Sequence, residues 1–192
     1  MWHLLDEHAA VCVGPGGAVA TGPRPPGLCP GSFNPLHHGH LGLAQAAARH
    51  LGAAVHFELS VRNADKPELP PAEVERRVAQ FAGVGPVWVT RAPTFLQKAE
   101  LFPGAAFVLG WDTAVRVVDP KYYGGEAGRD SALAALRDRG CRLVVGGRVD
   151  ASGVFRVWEA PAALGALAGL FVPLSEADFR ADVSSTELRR KA

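Results

Sequence analysis

Three histidines crowd the stretch Gly31-Ser32-Phe33-Asn34-Pro35-Leu36-His37-His38-Gly39-His40, which leads from a short apolar run into an amphipathic one. His37 and His40 are three positions apart, so at the entrance of a helix both rings can point the same way. A helix N-terminus presents unpaired N–H groups and a partial positive charge, and together these attract an anion. Two imidazoles add donors suited to phosphate oxygens, and Gly39 lets a ligand approach the backbone closely. A metal cluster and a histidine-rich surface loop are the competing readings. Three histidines without a cysteine or a nearby carboxylate suit zinc poorly, so no metal ligand is assigned. Phosphate binding is the chemistry these residues favour.

A second stretch, Asp182-Val183-Ser184-Ser185-Thr186-Glu187-Leu188-Arg189, has the same character. Ser184 and Glu187 match a capping box, worth about 1 kcal/mol to any helix that starts there. A helix this short is marginal alone, so it is expected to dock against the body. Ser184, Ser185 and Thr186 with the local N–H groups, and Arg189 one turn later, form a second anion cradle. Capping and cradling are compatible.

The elements that must carry these residues read as alternating strands and helices. Val55–Leu59, Val87–Thr90, Ala105–Leu109 and Leu143–Val145 are short runs, partly β-branched or aromatic, of the kind found in parallel strands buried on both faces. Gly39–Leu51 places Leu41, Ala44, Ala48 and Leu51 at helical spacing and stops at Gly52, a natural C-cap. Pro71–Phe81 opens with Pro-Ala-Glu and carries Val74, Val78 and Phe81 on one stripe. Ser131–Arg139 and Pro161–Leu170 are two further helical patterns. The alternation predicts an α/β fold with a doubly wound parallel sheet, its ligand crevice beyond the carboxyl ends of the central strands. Residues 1–26 read as an N-terminal appendage, with a hairpin around Gly14–Gly17 and a Pro/Gly-rich linker. The main domain, which carries both anion-binding stretches, then spans 27–192.

Composition narrows the class. The 192 residues are 48% hydrophobic and 20% charged, which describes one globular domain and not a disordered chain. A formal net charge of +1 lacks the broad basic field of a nucleic-acid binder. The longest wholly apolar run, Ala162–Val172, falls far short of the about 20 residues a membrane helix needs. Cys12, Cys29 and Cys141 form no C-x-x-C pair and read as small hydrophobes in a reducing cytoplasm. Neither G-x-x-x-x-G-K-[ST] nor G-x-G-x-x-G occurs, so P-loop and dinucleotide fingerprints are both absent.

Gly31–His40 resembles the GxFxPxHxGH signature of the nucleotidyltransferase superfamily, and Val183–Arg189 resembles its C-terminal ISSTxIR motif. Two motifs in this order, about a domain apart, are more specific than either alone. Between them, Ser60–Lys66, Thr94-Phe95-Leu96-Gln97-Lys98 and Phe107-Val108-Leu109-Gly110-Trp111-Asp112 follow the order of the nicotinamide and nicotinate mononucleotide adenylyltransferase branch, whose middle motif is GxD. The likeness covers about Leu28–Lys191 of the chain and extends to cytidylyltransferase-like proteins.

The resemblance implies a Rossmann-like, HIGH-type fold and transfer of a nucleotidyl group from an NTP to a phosphorylated acceptor, with release of pyrophosphate. His37, His40 and Arg189 would be the catalytic residues. Gly31, Ser32 and Phe33 would offer backbone groups to the nucleotide. Ser184, Ser185, Thr186 and Arg189 would hold the β- and γ-phosphates, and Gly110 and Asp112 would meet the nucleoside. Mg²⁺ would travel on the phosphates with most of its water retained. On the acceptor side, Lys66 would meet a phosphate, Thr94 the base, and Trp111 or Trp88 would stack on a pyridine ring. Lys66 reads equally as a solvated loop lysine, and the tryptophans as core or rim aromatics. Two departures stand out. Pro30 is expected to sit just after the first strand ends, because proline suits a central strand poorly. Trp111 fills the variable position of GxD and would crowd the acceptor pocket.

The favoured activity is a Mg²⁺-dependent adenylyltransferase acting on NMN or NaMN. A cytidylyltransferase on a phosphorylated alcohol is the alternative within the class. NTP hydrolysis and non-catalytic nucleotide binding are the alternatives outside it. The partners are small molecules, with no nucleic acid and no membrane, and a homo-oligomer is compatible with the sequence.

Overall fold

The computed structural model describes residues 1–62, 67–150 and 152–180. Helix α1 (Trp2–Glu7) precedes a hairpin of strands β1 (Ala10–Val13) and β2 (Val19–Ala20). Strands and helices then alternate through β3 (Gly27–Pro30), α2 (His38–Leu51), β4 (Val55–Ser60), α3 (Pro71–Ala79), β5 (Val87–Thr90), α4 (Phe95–Leu101) and β6 (Ala106–Gly110). Next come α5 (Trp111–Val118), α6 (Glu126–Asp138) and β7 (Arg142–Gly146). A small hairpin, β8 (Arg148–Val149) with β9 (Phe155–Arg156), and an edge strand β10 (Phe171–Pro173) come last.

The main sheet has the order β10-β7-β6-β3-β4-β5-β1-β2. From β10 to β5 every pairing is parallel. The chain steps from β3 to β4 to β5 in one direction, then crosses back to lay β6 on the far side of β3. That reversal opens a crevice at the carboxyl ends of β3 and β6. The doubly wound, Rossmann-like architecture expected from the alternation is present.

Period-2 alternation divides the core between the two faces. Cys29, Phe57, Leu59, Val87, Val89, Val108 and Val144 meet Leu5 of α1, Leu43, Ala44 and Ala47 of α2, and Val74 of α3. Leu28, Trp88, Phe107, Leu109, Leu143 and Val145 face the other way, onto Ala99, Ala114, Val117, Leu133 and Leu136 of α4, α5 and α6. Each fully buried large side chain contributes about 1.5–3 kcal/mol. Helix α2 ends as expected at Gly52, whose left-handed backbone caps it.

Several elements differ from the sequence reading. The expected hairpin forms, but β1 also pairs antiparallel with β5 along its whole length, and Leu5, Ala10 and Val11 are buried. β1 and β2 therefore form one edge of the main sheet. Pro30 is the last residue of β3, not the first beyond it, and stands opposite Glu58 of β4. The ladder between β3 and β6 stops at Leu28, so the donor that proline lacks falls where no partner strand needs it. Residues 162–170 form 3-10 turns in place of a regular helix, broken at Gly165 with φ 51°. Helix α6 starts earlier than Ser131, at Glu126, and α4 and α5 are additional helices. The cysteines are free thiols.

Candidate active site at the switch point

Beyond Pro30 the chain makes one more strand-like bond, from the Gly31 N–H to the Glu58 carbonyl at 2.9 Å, and then bends. Phe33 sits in the bend at φ 44°, a left-handed conformation that residues with a Cβ seldom adopt. Its ring is completely buried, edge-on to His40, Phe57 and Phe81 with centroids 5.0 to 5.7 Å away. Gly31 is required here, since a Cβ would lie 2.7 Å from that ring.

His37 is the N-cap of α2 and His40 lies one turn on, so the expected helix entrance is present. The His37 N–H donates to Nδ1 of His40 at 3.3 Å. With Nδ1 accepting, a neutral His40 carries its proton on Nε2, as a donor. The two rings stack, centroids 3.7 Å apart. Burial, then the neighbouring His37, pushes His40 down to about 4. Burial and His38 lower His37 as well. Both shifts favour the neutral rings at physiological pH.

Helix α3 holds this loop from outside. An Arg77 guanidinium N–H donates to the Ser32 carbonyl at 2.9 Å, and Arg76 donates to Oδ1 of Asn34 at 2.7 Å. Gln80 accepts from the Leu36 N–H and donates to the Phe33 carbonyl, both at 2.8 Å. Sequence reasoning found α3 by its apolar stripe and missed these residues. Their signal was the placement of Arg77 and Gln80 three apart, on one helix face.

Gly110, Trp111, Asp112 and Thr94 lie at or just beyond the carboxyl ends of β6 and β5. Gly110 ends β6 and caps α5; Asp112 in the first turn is exposed, its Oδ1 2.7 Å from Arg148. Trp111 is half-buried against the core, edge-on to Trp158 at 5.1 Å. Thr94 is exposed and caps α4 through a reciprocal pair of bonds with Gln97. Trp88 lies in the core, donating to Nδ1 of His56 at 3.1 Å, so its ring is not offered to a ligand. Lys66, Ser184, Ser185, Thr186 and Arg189 lie outside the described residues.

A buried ion pair ties α4 to β4 behind Thr94. Lys98 of α4 donates to both oxygens of Glu58 at 2.8 Å and to the Ala92 carbonyl at 2.7 Å, and Thr90 donates to Glu58 at 2.5 Å. All three Lys98 protons are used, and they tie the turn that leads to Thr94 onto β4. The sequence placed Glu58 in a strand and Lys98 in a separate segment without pairing them, because a lone Glu in a strand carries no pattern. Among the described residues, no group of three or more His, Cys, Asp or Glu side chains could hold a metal ion. Nor is any helix among them long and apolar enough to cross a membrane.

A doubly wound sheet with a histidine-bearing helix entrance at its switch point defines the Rossmann-like nucleotidyltransferase class. The chain belongs to the cytidylyltransferase-like family, whose model matches residues 28–191. The match is at the level of the family and does not distinguish a mononucleotide adenylyltransferase branch. Membership makes nucleotidyl transfer the suggested activity, with a nucleotide and an acceptor as substrates. No curated protein matches the sequence.

Proposed function

We propose that the chain transfers a nucleotidyl group from a Mg²⁺–NTP complex, ATP in first place, to a phosphorylated acceptor such as NMN or NaMN. The observation that carries this reading is the stacked, neutral pair His37–His40 in a loop held over the crevice between β3 and β6. An acceptor phosphate oxygen attacks the α-phosphorus in line, forming a new O–P bond. The bond from the α-phosphorus to the bridging oxygen breaks, and pyrophosphate leaves with the electron pair. Little covalent help is needed, because positioning and charge stabilisation supply most of the acceleration. Nε2–H of His40, and His37 beside it, donate to oxygens whose charge grows in the transition state. Gly31 and Ser32 offer backbone groups from the same loop. Phe33 acts on the nucleotide through its backbone only, its ring being given over to the core.

Gly110 and Asp112 serve the nucleoside, and Ser184, Ser185, Thr186 and Arg189 the β- and γ-phosphates. Lys66, Thr94 and Trp111 serve the acceptor. Arg189→Lys is expected to lower turnover, since an ammonium cannot reproduce a planar two-pronged contact. The family's likeness to cytidylyltransferases supports one second reading, CTP with a phosphorylated alcohol.

The deciding experiment is pyrophosphate release with Mg²⁺, crossing ATP and CTP with NMN, NaMN, phosphopantetheine and phosphocholine. A signal that requires one acceptor identifies the reaction. Phosphate or pyrophosphate release without any acceptor would replace transfer by hydrolysis. Nucleotide-induced thermal stabilisation with no release would leave a nucleotide binder.

A further inference from the structure

The bend that carries the histidines is held by a single neutral side chain at both of its ends. Gln80 accepts the Leu36 N–H through Oε1 and donates through Nε2 to the Phe33 carbonyl, each at 2.8 Å. Its Nε2 also donates to the Arg77 carbonyl at 3.2 Å, which anchors the amide to its own helix. The bend requires one acceptor and one donor within reach of the same point, and the Gln80 amide supplies both without charge. Phe33, between the two contacts, is in a backbone conformation that the surrounding structure must impose. Its ring in turn meets His40 edge-on at 5.1 Å.

We propose that Gln80, seconded by Arg77, is a positioning residue: by pinning the 33–36 bend it holds the Phe33 ring against His40 and keeps His40 stacked on His37. Arg77 shares the task through the Ser32 carbonyl, its guanidinium held by Glu73 at 2.7 Å. Neither residue touches the reacting atoms. The proposal rests on His37 and His40 being the phosphate-facing pair, but its geometry can be read without turnover.

The test is Gln80→Met, which keeps side-chain length and removes both hydrogen bonds, with Gln80→Glu as a second variant of the same shape. The carboxylate that Gln80→Glu introduces can still accept from the Leu36 N–H but cannot donate to the Phe33 carbonyl. His40 is followed in the full chain by NMR titration of the imidazole signals, alongside pyrophosphate-release kinetics. The titration of His40, held at about 4 by burial and by His37, is expected to move up toward its ordinary 6.5 in Gln80→Met as the bend loosens; Gln80→Glu, whose added carboxylate would itself raise a nearby imidazole, is read by its kinetics and melting temperature. kcat is expected to fall between about 10- and 100-fold with a smaller change in KM for the nucleotide. Tyr123→Phe, which loses a remote bond to the Val117 carbonyl, is expected to lower the melting temperature without moving His40. If Gln80→Met melts lower but titrates His40 as the parent does, Gln80 is merely structural and the proposal is overturned. If the parent turns over no substrate pair, the functional reading fails while the shift in His40 still decides the positioning claim. If Gln80→Met does not fold, Gln80→Leu, equally neutral and without hydrogen-bonding capacity, gives the same two answers.

Discussion

The rings of His37 and His40 lie almost face to face, 3.7 Å between centroids and 27° between planes. Two imidazolium ions could not share that spacing in a half-buried site, so the arrangement favours neutral rings until an anion supplies the opposing charge.

That relationship sets a pH dependence. His40 is depressed to about 4 from an ordinary 6.5, so the unfolded chain binds more protons between these values. The stability linked to neutral His40 is fully present above pH 6.5 and is lost as pH falls through about 4. His56, lowered by its own burial, acts in the same direction. Urea unfolding measured across that window is expected to show falling stability, with a shallower fall in His40→Gln. An equal slope in both chains would show that His40 is not the linked group.

His40→Ala tests the catalytic role. Loss of a donor aimed at transition-state charge is expected to reduce kcat about 10²–10³-fold. The melting temperature is expected to fall, since His40 accepts the capping bond from the His37 N–H and packs on Phe33, and the nucleotide-induced gain should shrink. Near-normal turnover would remove His40 from the mechanism.

The pair Glu58–Lys98 is expected to be costly to halve and cheap to replace. Both residues are at least nine-tenths buried. Lys98→Met leaves a buried carboxylate without its counter-ion and should cost about 3–5 kcal/mol. Glu58→Leu combined with Lys98→Met should recover most of that loss, since neither charge then remains. Chemical denaturation of the two chains checks this, and a double variant no more stable than the single would contradict it.

Gly31→Ala places a Cβ 2.7 Å from the Phe33 ring. The ring must shift, and overpacking of this kind costs about 1–3 kcal/mol. Because the same ring abuts His40, the melting-temperature gain from Mg²⁺–ATP should shrink as well. Thermal unfolding with and without the nucleotide reads both effects, and an undiminished gain would uncouple Phe33 from the site.

Much of this was legible in the chain because it is written locally. Runs such as Val87–Thr90 and Leu143–Val145 declare buried strands, and the step from Gly31 to His40 declares a helix entrance. Gly52 ends that helix through its own backbone freedom. Helix α4 was missed although its capping box, Thr94 with Gln97, is in plain view, because only two turns follow it. The 3-10 turns after Pro161 escaped for a different reason: an alanine- and leucine-rich run has high helical preference, and Gly165 alone redirects it.

What the sequence alone determined is the alternation of strands and helices and the presence of a histidine pair at one strand-to-helix step. Both depend on spacing over a few residues. Tertiary structure decided which distant residues serve that pair. Gln80 and Arg77 reach the loop from a helix more than forty positions away, Glu58 finds Lys98 across forty, and the first strand of the chain closes onto β5. Such partnerships follow from strand order and register, which arise from packing the whole core, so no short-range pattern announces them.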